Sequence, residues 1–269
     1  KLIVCDPVKN RYLSQGPKKD PIDAKKLAEL LRGNFLNPVY HGIDAREELR
    51  DLVYGYLALI QDFVRLKNRY KAIYRSQGIH QKGTAVYGDE SFLKDIKKGH
   101  ARFVGKQVYD MIRVFEEKRK KYTQELAKQQ RKFPEIRLLK TIPGIGIIQA
   151  CKIAAIVVTP DRFENKYKFY SYCGLVKHDK ESGGQSYGKR CAHANRTLKG
   201  VFRTAGQTVL RGKSGLRKHY DRLMSKGYPA DAAYNSVCRK LASISLAVWK
   251  KGEKYRDDLI GDASKQIRP

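Results

Sequence analysis

The feature that most constrains the fold is a run of apolar residues between Asp44 and Gln77, spaced alternately three and four positions apart. This spacing is that of the a and d positions of a heptad repeat, and it continues for about four heptads. The seam consists of Leu49, Leu52, Tyr56, Leu59, Phe63, Leu66, Tyr70 and Ile73. It predicts one long helix that Gly78 ends. Because three of its positions are bulky aromatics, we expect this helix to pair in antiparallel orientation or to join a higher assembly. A homo-oligomer is one such assembly.

A second long helix is predicted from Ala101 to Lys132, with Pro134 after it. Its expected apolar face consists of Val104, Val108, Met111, Phe115 and Tyr122. The polar stretch between the two helices, residues 79–100, is expected to be a loop or tip. Two long helices joined in this way favour an antiparallel coiled-coil arm, and the alternative is two helices of a compact bundle.

The segments on either side of the arm differ in type. The short apolar run from Leu2 to Cys5 is typical of a buried strand, and since Lys1 precedes it directly we expect the chain to begin inside a domain. A helix is predicted from Pro21 to Arg32, with Asp20 as its N-cap and an apolar stripe, and Gly33 ends it. The stripe consists of Ala24, Leu27, Leu30 and Leu31. Residues 136–269 are predicted to form a separate helical domain.

The charge balance indicates a polyanionic partner. The chain has 56 Lys and Arg against 27 Asp and Glu, a formal net charge of +29. DNA or RNA is the expected partner, with an anionic membrane surface as the alternative. No hydrophobic run approaches the length that spans a bilayer, so we expect no membrane insertion. Hydrophobic residues make up 41% of the chain, which excludes global disorder.

The five cysteines are widely spaced and form no C-x-x-C motif. This usage fits a reduced, cytosolic compartment. Cys173, His178, Cys191 and His193 are a conceivable zinc set, but their spacing matches no common zinc template. The alternative is buried thiols and solvated imidazoles.

The segment from Leu139 to Ala150 contains the turn Pro-Gly-Ile-Gly between two apolar runs. It resembles a helix-hairpin-helix motif, in which Gly144 and Gly146 allow a tight turn. The N–H groups at the start of the new helix could then hold a phosphate of DNA. The alternative is a plain glycine-rich connection between helices.

Two further segments carry groups suited to phosphate chemistry. Asp20 and Asp23 lie three apart at a helix start, so both carboxylates face nearly one way and suit Mg²⁺; ordinary N-terminal acids are the alternative. Ser182 is followed by Gly183 and Gly184, with the cations Lys189, Arg190 and Arg196 nearby in sequence. A serine beside such cations is a candidate nucleophile toward a phosphodiester, and a flexible surface loop is the alternative.

In this order, the segments resemble the DEDD transposases of the insertion-sequence one-ten family, which are related to the pilin-gene invertases. The matching stretches are K-K-D-P-I-D-A-K-K-L-A-E-L-L-R-G (18–33), K-N-R (67–69), I-P-G-I-G (142–146), R-F (162–163), Y-C-G-L (172–175), S-G-G (182–184), A-N-R-T-L-K (194–199) and R-K-L-A (239–242). The chain departs from the family pattern at Lys19, where Thr is usual, and at Ala194, where Gly is usual.

The resemblance implies a mainly α fold in three parts. Residues 1–40 would be the C-terminal remnant of an RNase-H-like α/β domain, residues 41–135 a long coiled-coil arm, and residues 136–269 a C-terminal transposase domain with a helix-hairpin-helix-like motif. It also implies a prokaryotic, cytoplasmic and nucleoid-associated protein.

The resemblance also assigns the chemistry. Asp20 and Asp23 match the third and fourth acids of an Asp-Glu-Asp-Asp site for Mg²⁺, whose first two acids are expected upstream of Lys1, and Asp6 is not assigned to the metal. Ser182 matches the nucleophilic serine. Contacts to nucleic acid are expected from Lys18, Gly144, Gly146, Lys189, Arg190, Asn195 and Arg196. Site-specific cleavage and joining of DNA under the guidance of an element-encoded RNA is the implied activity.

Two other functions remain open on the residues alone. One is a metal-dependent junction nuclease that uses water and forms no covalent intermediate. The other is a non-catalytic helix-hairpin-helix protein that binds nucleic acid. A serine-dependent covalent adduct with DNA would distinguish the first from a recombinase.

Overall fold

The structure is a computed structural model that describes residues 3–5, 10–14, 19–39, 46–191 and 194–257. Within these ranges a few residues are described by their backbone alone: Arg11, Ser14, His178, Lys180, Lys189, Arg190 and Cys191. The chain divides into two compact units, Lys1–Asp44 and Ala45–Pro269. Its described part is mainly helical, which confirms the predicted class. The RNase-H-like, coiled-coil and helix-hairpin-helix assignments, like the three domain boundaries, stay predictions.

The first unit is built around helix α1, Asp20–Arg32, preceded by a short 3₁₀ segment, Arg11–Ser14. Two extended segments meet beside it, where Cys5 and Pro38 form an antiparallel bridge. The buried Asn10 joins the same region, because its Oδ1 accepts from the Asn37 N–H at 2.9 Å. The expected buried strand is thus reduced, in its described residues, to a single bridge.

Two expectations for α1 are corrected. Asp20 is the first helical residue, and Lys19 occupies the N-cap position. None of the helix is buried, and Leu27 and Leu31 are exposed, so the predicted apolar stripe faces solvent within this unit. The helix ends at Gly33 as predicted.

The second unit begins with two long helices, α2 (Glu47–Ser76) and α3 (Gly99–Lys128). Aromatic pairs join them in antiparallel order: Tyr56 to Tyr122, Phe63 to Phe115 and Tyr70 to Tyr109. Most of the heptad seam on α2 is therefore confirmed as the packing face, and the partner is the second helix of the same chain. Leu52, Leu59 and Ile73 of the seam are only half-buried, whereas Val53 and Tyr74, which lie outside it, are buried. Supercoiling of the pair stays a prediction.

The predicted face of α3 is partly wrong. Val108, Phe115 and Tyr122 face α2 as expected, but Val104 and Met111 are 50% and 47% exposed. The buried face instead runs through Gly105, Val108, Tyr109, Ile112 and Leu126. A Cβ on Gly105 would lie 3.0 Å from Leu93 Cδ2, so this position is glycine because the tip segment packs against it.

The segment between α2 and α3 has two 3₁₀ segments, Ala85–Tyr87 and Glu90–Asp95. Val86, Leu93 and Ile96 are buried against the distal half of the helix pair. The predicted polar loop is therefore a packed cap with its own small core.

Six shorter helices follow in the described residues and enclose the main core. They are α4 (Pro134–Leu139), α5 (Ile147–Val157), α6 (Lys166–Tyr172), α7 (Arg196–Arg211), α8 (Gly215–Ser225) and α9 (Ala230–Lys251). Leu49, Val53 and Tyr56 at the base of α2 belong to this same core. The helix pair is thus embedded at its base and has a separate core at its tip.

An antiparallel β-hairpin interrupts the helices between α6 and α7. Its strands are β1 (Lys177–Ser182) and β2 (Gln185–Cys191). All of its described side chains are exposed. In the described ranges, no helix is long and apolar enough to cross a membrane.

Candidate functional site

The two predicted metal-binding carboxylates occupy the first turn of α1. Asp20 is exposed. Asp23 has one oxygen, Oδ1, that is buried and accepts no hydrogen bond, and it lies 3.9 Å from the Lys26 Nζ. A buried carboxylate oxygen without a donor is costly unless a cation satisfies it. Lys26 already places a cation beside that oxygen, so the binding of a divalent cation, which prefers oxygen ligands, by this pair stays a prediction.

These two acids do not by themselves make a complete metal centre. Among the described residues, no group of three or more His, Cys, Asp or Glu side chains could hold a metal ion. The predicted Lys18 lies outside the described residues. Cys173 of the conceivable zinc set is fully buried in the main core, where burial raises the pKa of its thiol well above the usual value. A thiol in this environment is a packing residue, which removes the basis of that zinc set.

Ser182 lies at the end of β1, directly before the hairpin turn. It pairs with Gln185 across Gly183 and Gly184, whose φ angles are +59° and +76°. Two successive positive φ angles define the type I′ turn that matches the twist of a two-stranded ribbon. The predicted surface loop is therefore a hairpin tip. The Gly-Gly pair was the available sequence signal, although no alternation of apolar residues accompanied it.

The serine is exposed, and its hydroxyl makes no hydrogen bond to another described residue. Lys189 pairs with Asp179 in the ladder, three residues from Ser182 along β1. This separation is about 10 Å at the usual rise of a strand. The side chains of Lys189 and Arg190 lie outside the described atoms, so their role in phosphate binding stays a prediction.

The turn between α4 and α5 is tightly packed. Gly144 has φ +81°, and a Cβ there would lie 2.4 Å from the Ala205 carbonyl oxygen on α7. Ile142 and Ile145 are buried on either side of it. Gly144 is therefore glycine because the turn presses against α7, and its contact with nucleic acid stays a prediction.

Gly146 is in a different environment. It is exposed and occupies the N-cap of α5 in an extended conformation, and no side chain caps the helix. The first N–H groups of an α-helix lack partners within the helix, so this end is open to an acceptor such as a phosphate oxygen.

Asn195 has a structural task that the sequence pattern did not reveal. Its Oδ1 accepts from the Leu198 N–H at 3.0 Å and thereby caps α7, while its own N–H donates to the Tyr172 carbonyl at 2.8 Å. The neighbouring Arg196 is exposed at the start of the same helix. Asn195 thus fixes where α7 begins and places Arg196 in the first turn of that helix. Contacts of either residue with nucleic acid stay predictions.

The acids and the serine belong to different compact units, Asp20 and Asp23 to the first and Ser182 to the second. Their convergence on one phosphate therefore stays a prediction. The sequence pattern also gave no role to the cations of residues 118–121 or to Lys152, which the structure places near the base of α2.

Comparison with known proteins identifies two matching regions. The family model described as "Transposase IS116/IS110/IS902 family" matches residues 136–221, from α4 through the hairpin to α8. A second model, described as "Transposase" and built for the DEDD transposases of IS110, matches residues 3–76.

One curated relative is also similar. It is the "Insertion element IS110 uncharacterized 43.6 kDa protein" of Streptomyces coelicolor, 25% identical over 119 residues. The similar region covers 44% of this chain and 29% of that relative. Both models and the relative name the same family, and the residues of the predicted site fall inside the matched regions. The chain belongs to the IS110 family of insertion-sequence transposases.

Proposed function

We propose that this protein is a DNA transposase that cleaves and joins DNA strands at specific sites through a serine nucleophile, guided by a structured RNA. The observation that carries the proposal is Ser182 itself, held at the exposed tip of a hairpin inside the region that matches the transposase model. A tip that buries nothing leaves its hydroxyl free to approach a large substrate. Chains of this family act on DNA, which fits the net charge of +29.

In the proposed reaction the Ser182 Oγ attacks a phosphorus atom of the DNA backbone. A bond forms between Oγ and phosphorus, and one bond from phosphorus to a deoxyribose oxygen breaks. The serine proton leaves, and the departing oxygen gains a proton. Joining is the reverse, with a hydroxyl of another strand attacking the phosphoserine link. Because the serine conserves the energy of the phosphodiester, joining needs no further energy source.

A serine hydroxyl is a poor nucleophile near neutral pH and needs an activating group. No described side chain of the hairpin is hydrogen-bonded to the Ser182 hydroxyl, and we propose that activation comes from a metal site. Asp20 and Asp23 would hold a divalent cation, Mg²⁺ in our proposal, which supplies polarisation of a phosphate oxygen or of the nucleophile. Lys18, Lys189, Arg190 and Arg196 would bind the phosphate oxygens, and Asn195 would orient Arg196. Convergence of these groups from two units, or from two protomers of a homo-oligomer, is part of the proposal.

The test uses the full-length protein, a labelled target DNA and Mg²⁺. Wild-type protein should leave DNA covalently attached, and Ser182→Ala should not. Ser186→Ala is the matched control, because Ser186 is an exposed serine on the opposite strand of the same hairpin. An adduct that survives in Ser182→Ala places the nucleophile elsewhere. Cleavage by the wild type with no adduct favours the water-dependent nuclease instead.

A second candidate is a nucleic-acid-binding protein without chemistry, favoured by the uncapped start of α5 after Gly146. It predicts tight, salt-dependent binding with neither cleavage nor adduct in any variant. Under this alternative, Ser182→Ala would bind DNA as the wild type does.

A further inference from the structure

A cavity of about 460 Å³ lies where the base of the helix pair meets α5. Its lining residues come from α2, α3 and the first turn of α5: Tyr56, Arg119, Lys120, Thr123, Gln124 and Ile148. Two of them are cations and none is acidic. The cavity is thus a positively charged recess beside the turn that carries Gly146.

The two lining cations have no carboxylate partner among the described residues, and Arg119 contacts only the Phe63 ring, 6.0 Å from its centroid. Among the described residues, Arg119 and Lys120 have no carboxylate oxygen within 4.0 Å, although other cations of α3 do, such as Lys106 beside Asp110 and Lys128 beside Glu125. The run of residues 118–121 is Lys-Arg-Lys-Lys, so α3 concentrates charge at this level. Unpaired cations around a recess generate a field that attracts anions.

Lys152 adds a third positive charge next to Tyr56, one of the lining residues. It lies one helical turn after Ile148 on α5, and its Nζ is 5.5 Å from the centroid of the Tyr56 ring. Burial lowers the pKa of this lysine, and no described carboxylate lies within ion-pairing distance of it. A partly desolvated cation whose only described partner is a ring face is destabilising for the fold. A bound anion would supply the missing negative charge.

We propose that this cavity, which we call the base cavity, binds a phosphate of a nucleic-acid backbone through Arg119, Lys120 and Lys152. The inference rests on the proposed function, since it assumes that the chain handles nucleic acid, and it adds a binding site outside the predicted ones. A guanidinium matches two oxygens of a phosphate in bidentate geometry, and the lysines add point charges.

The interaction should be independent of base sequence. The Thr123 hydroxyl donates to the Arg119 carbonyl at 2.9 Å, so it is engaged within α3. The Tyr56 ring is buried and offers no exposed face for a base. What the base cavity presents is charge, which recognises the phosphate chain and positions it.

The test compares two double variants of the full chain. Arg119→Gln with Lys120→Gln removes two charges that line the base cavity. Lys118→Gln with Lys121→Gln removes two exposed charges from the same stretch of α3 that do not line it. The affinity for a duplex DNA and for an RNA hairpin is measured as a function of salt, and the two nucleic acids identify which one supplies the phosphate.

We expect the base-cavity variant to bind about tenfold more weakly than the wild type. The slope of log affinity against log salt should fall by about one unit for each phosphate that the variant no longer neutralises. The control should bind less than about threefold more weakly, since it weakens only the general field. Equal losses of affinity in the two variants would show that the base cavity is not a phosphate site, while leaving the proposed function intact. If the wild-type chain shows no salt-dependent binding to either nucleic acid, both proposals fail.

Lys152→Met separates binding from stability. It keeps an unbranched side chain only one atom shorter and removes the desolvated charge, so the melting temperature of the free protein should rise while the affinity for nucleic acid falls. A merely structural lysine would behave differently, because its replacement would lower the melting temperature and leave the affinity unchanged. That outcome would remove Lys152 from the site.

Discussion

The helix pair and the hairpin are stabilised by different kinds of interaction. The helix pair is held by side chains, since Tyr70, Tyr74 and Ile112 are completely buried and aromatic contacts follow its length. The hairpin is held by its backbone ladder and by two glycines in the turn, and its described side chains all face solvent. Residues of the helix pair are therefore constrained by packing, whereas the hairpin's side chains remain available for chemistry.

A charge placed in the seam of the helix pair should have the largest effect. Phe63 is 4% exposed, and its ring stacks on Phe115 with centroids 5.9 Å apart. Phe63→Glu removes this stacking and buries a carboxylate, so we expect a loss of about 4 kcal/mol or more in the free energy of unfolding. Urea unfolding followed by circular dichroism measures it.

Val64→Glu is the matched control, because Val64 is the next residue on the same helix and is 51% exposed. It should change the free energy of unfolding by less than about 0.5 kcal/mol. If both variants were equally destabilised, or neither were, the seam would not be what holds the helix pair together.

The second prediction concerns the turn between α4 and α5, where backbone and packing act together. Gly144→Ala forces a Cβ against the Ala205 carbonyl at a positive φ. We expect a loss of about 2 to 3 kcal/mol, measured by the same denaturation.

Gly146→Ala should be much milder, since Gly146 has an ordinary φ and a Cβ there would meet only the end of the flexible Gln149 side chain. A Gly144→Ala protein as stable as the wild type would mean that the turn does not press on α7.

The two regions also show how much the sequence could predict. The seam of α2 could be found because its apolar residues repeat at a fixed spacing. On α3 the same rule selected Val104 and Met111, which are exposed, because the closest approach there is made by Gly105. Two apolar stripes overlap on this helix and share Val108, and periodicity alone did not decide between the one through Met111 and the buried one through Ile112.

The candidate site was predictable only in its parts. Asp20, Asp23 and Ser182 were selected from their chemistry and from the family resemblance, and their roles stay predictions. Periodicity missed the hairpin because polar residues fill both of its strands. The base cavity was missed because Tyr56, Arg119 and Ile148 come together only when α2, α3 and α5 pack.

The third prediction extends the comparison to a buried group that titrates. His219 on α8 is buried, and one ring nitrogen lies 3.1 Å from the Ser236 hydroxyl on α9. Burial, with the nearby charges of Lys240 and Arg222, lowers its pKa from 6.5 to about 4. Between these values the unfolded chain binds a proton that the folded chain does not. Stability therefore falls as the pH falls from 6.5 toward 4, and this histidine has no effect at higher pH.

When the pH is lowered from 7 to 4.5, we expect His219 to reduce the free energy of unfolding by about 2 kcal/mol. His219→Gln keeps a partner for Ser236 but does not titrate, so its loss over the same range should be smaller by that amount. Urea unfolding at the two pH values measures the difference. Parallel pH profiles for the two proteins would contradict the buried, neutral state of His219.

The smallest effect is expected at the hairpin turn, and it should remain local. A Cβ on Gly183 would meet no atom within 4 Å, so the only cost of Gly183→Ala is its positive φ. That cost is about 1 kcal/mol for alanine, whereas asparagine tolerates the left-handed region and is common at this position of type I′ turns. Because the hairpin buries none of its described side chains, global unfolding should not change in either variant. Hydrogen exchange in residues 177–191 should instead become about fivefold faster in Gly183→Ala and stay near the wild-type rate in Gly183→Asn.

If Gly183→Ala lowered the global stability as Phe63→Glu does, the hairpin would be part of the packed structure, and the contrast between the two regions would be wrong. If the proposed chemistry is right, the same pair of variants should also rank in strand joining, with asparagine more active than alanine, since the turn fixes the direction of the Ser182 hydroxyl.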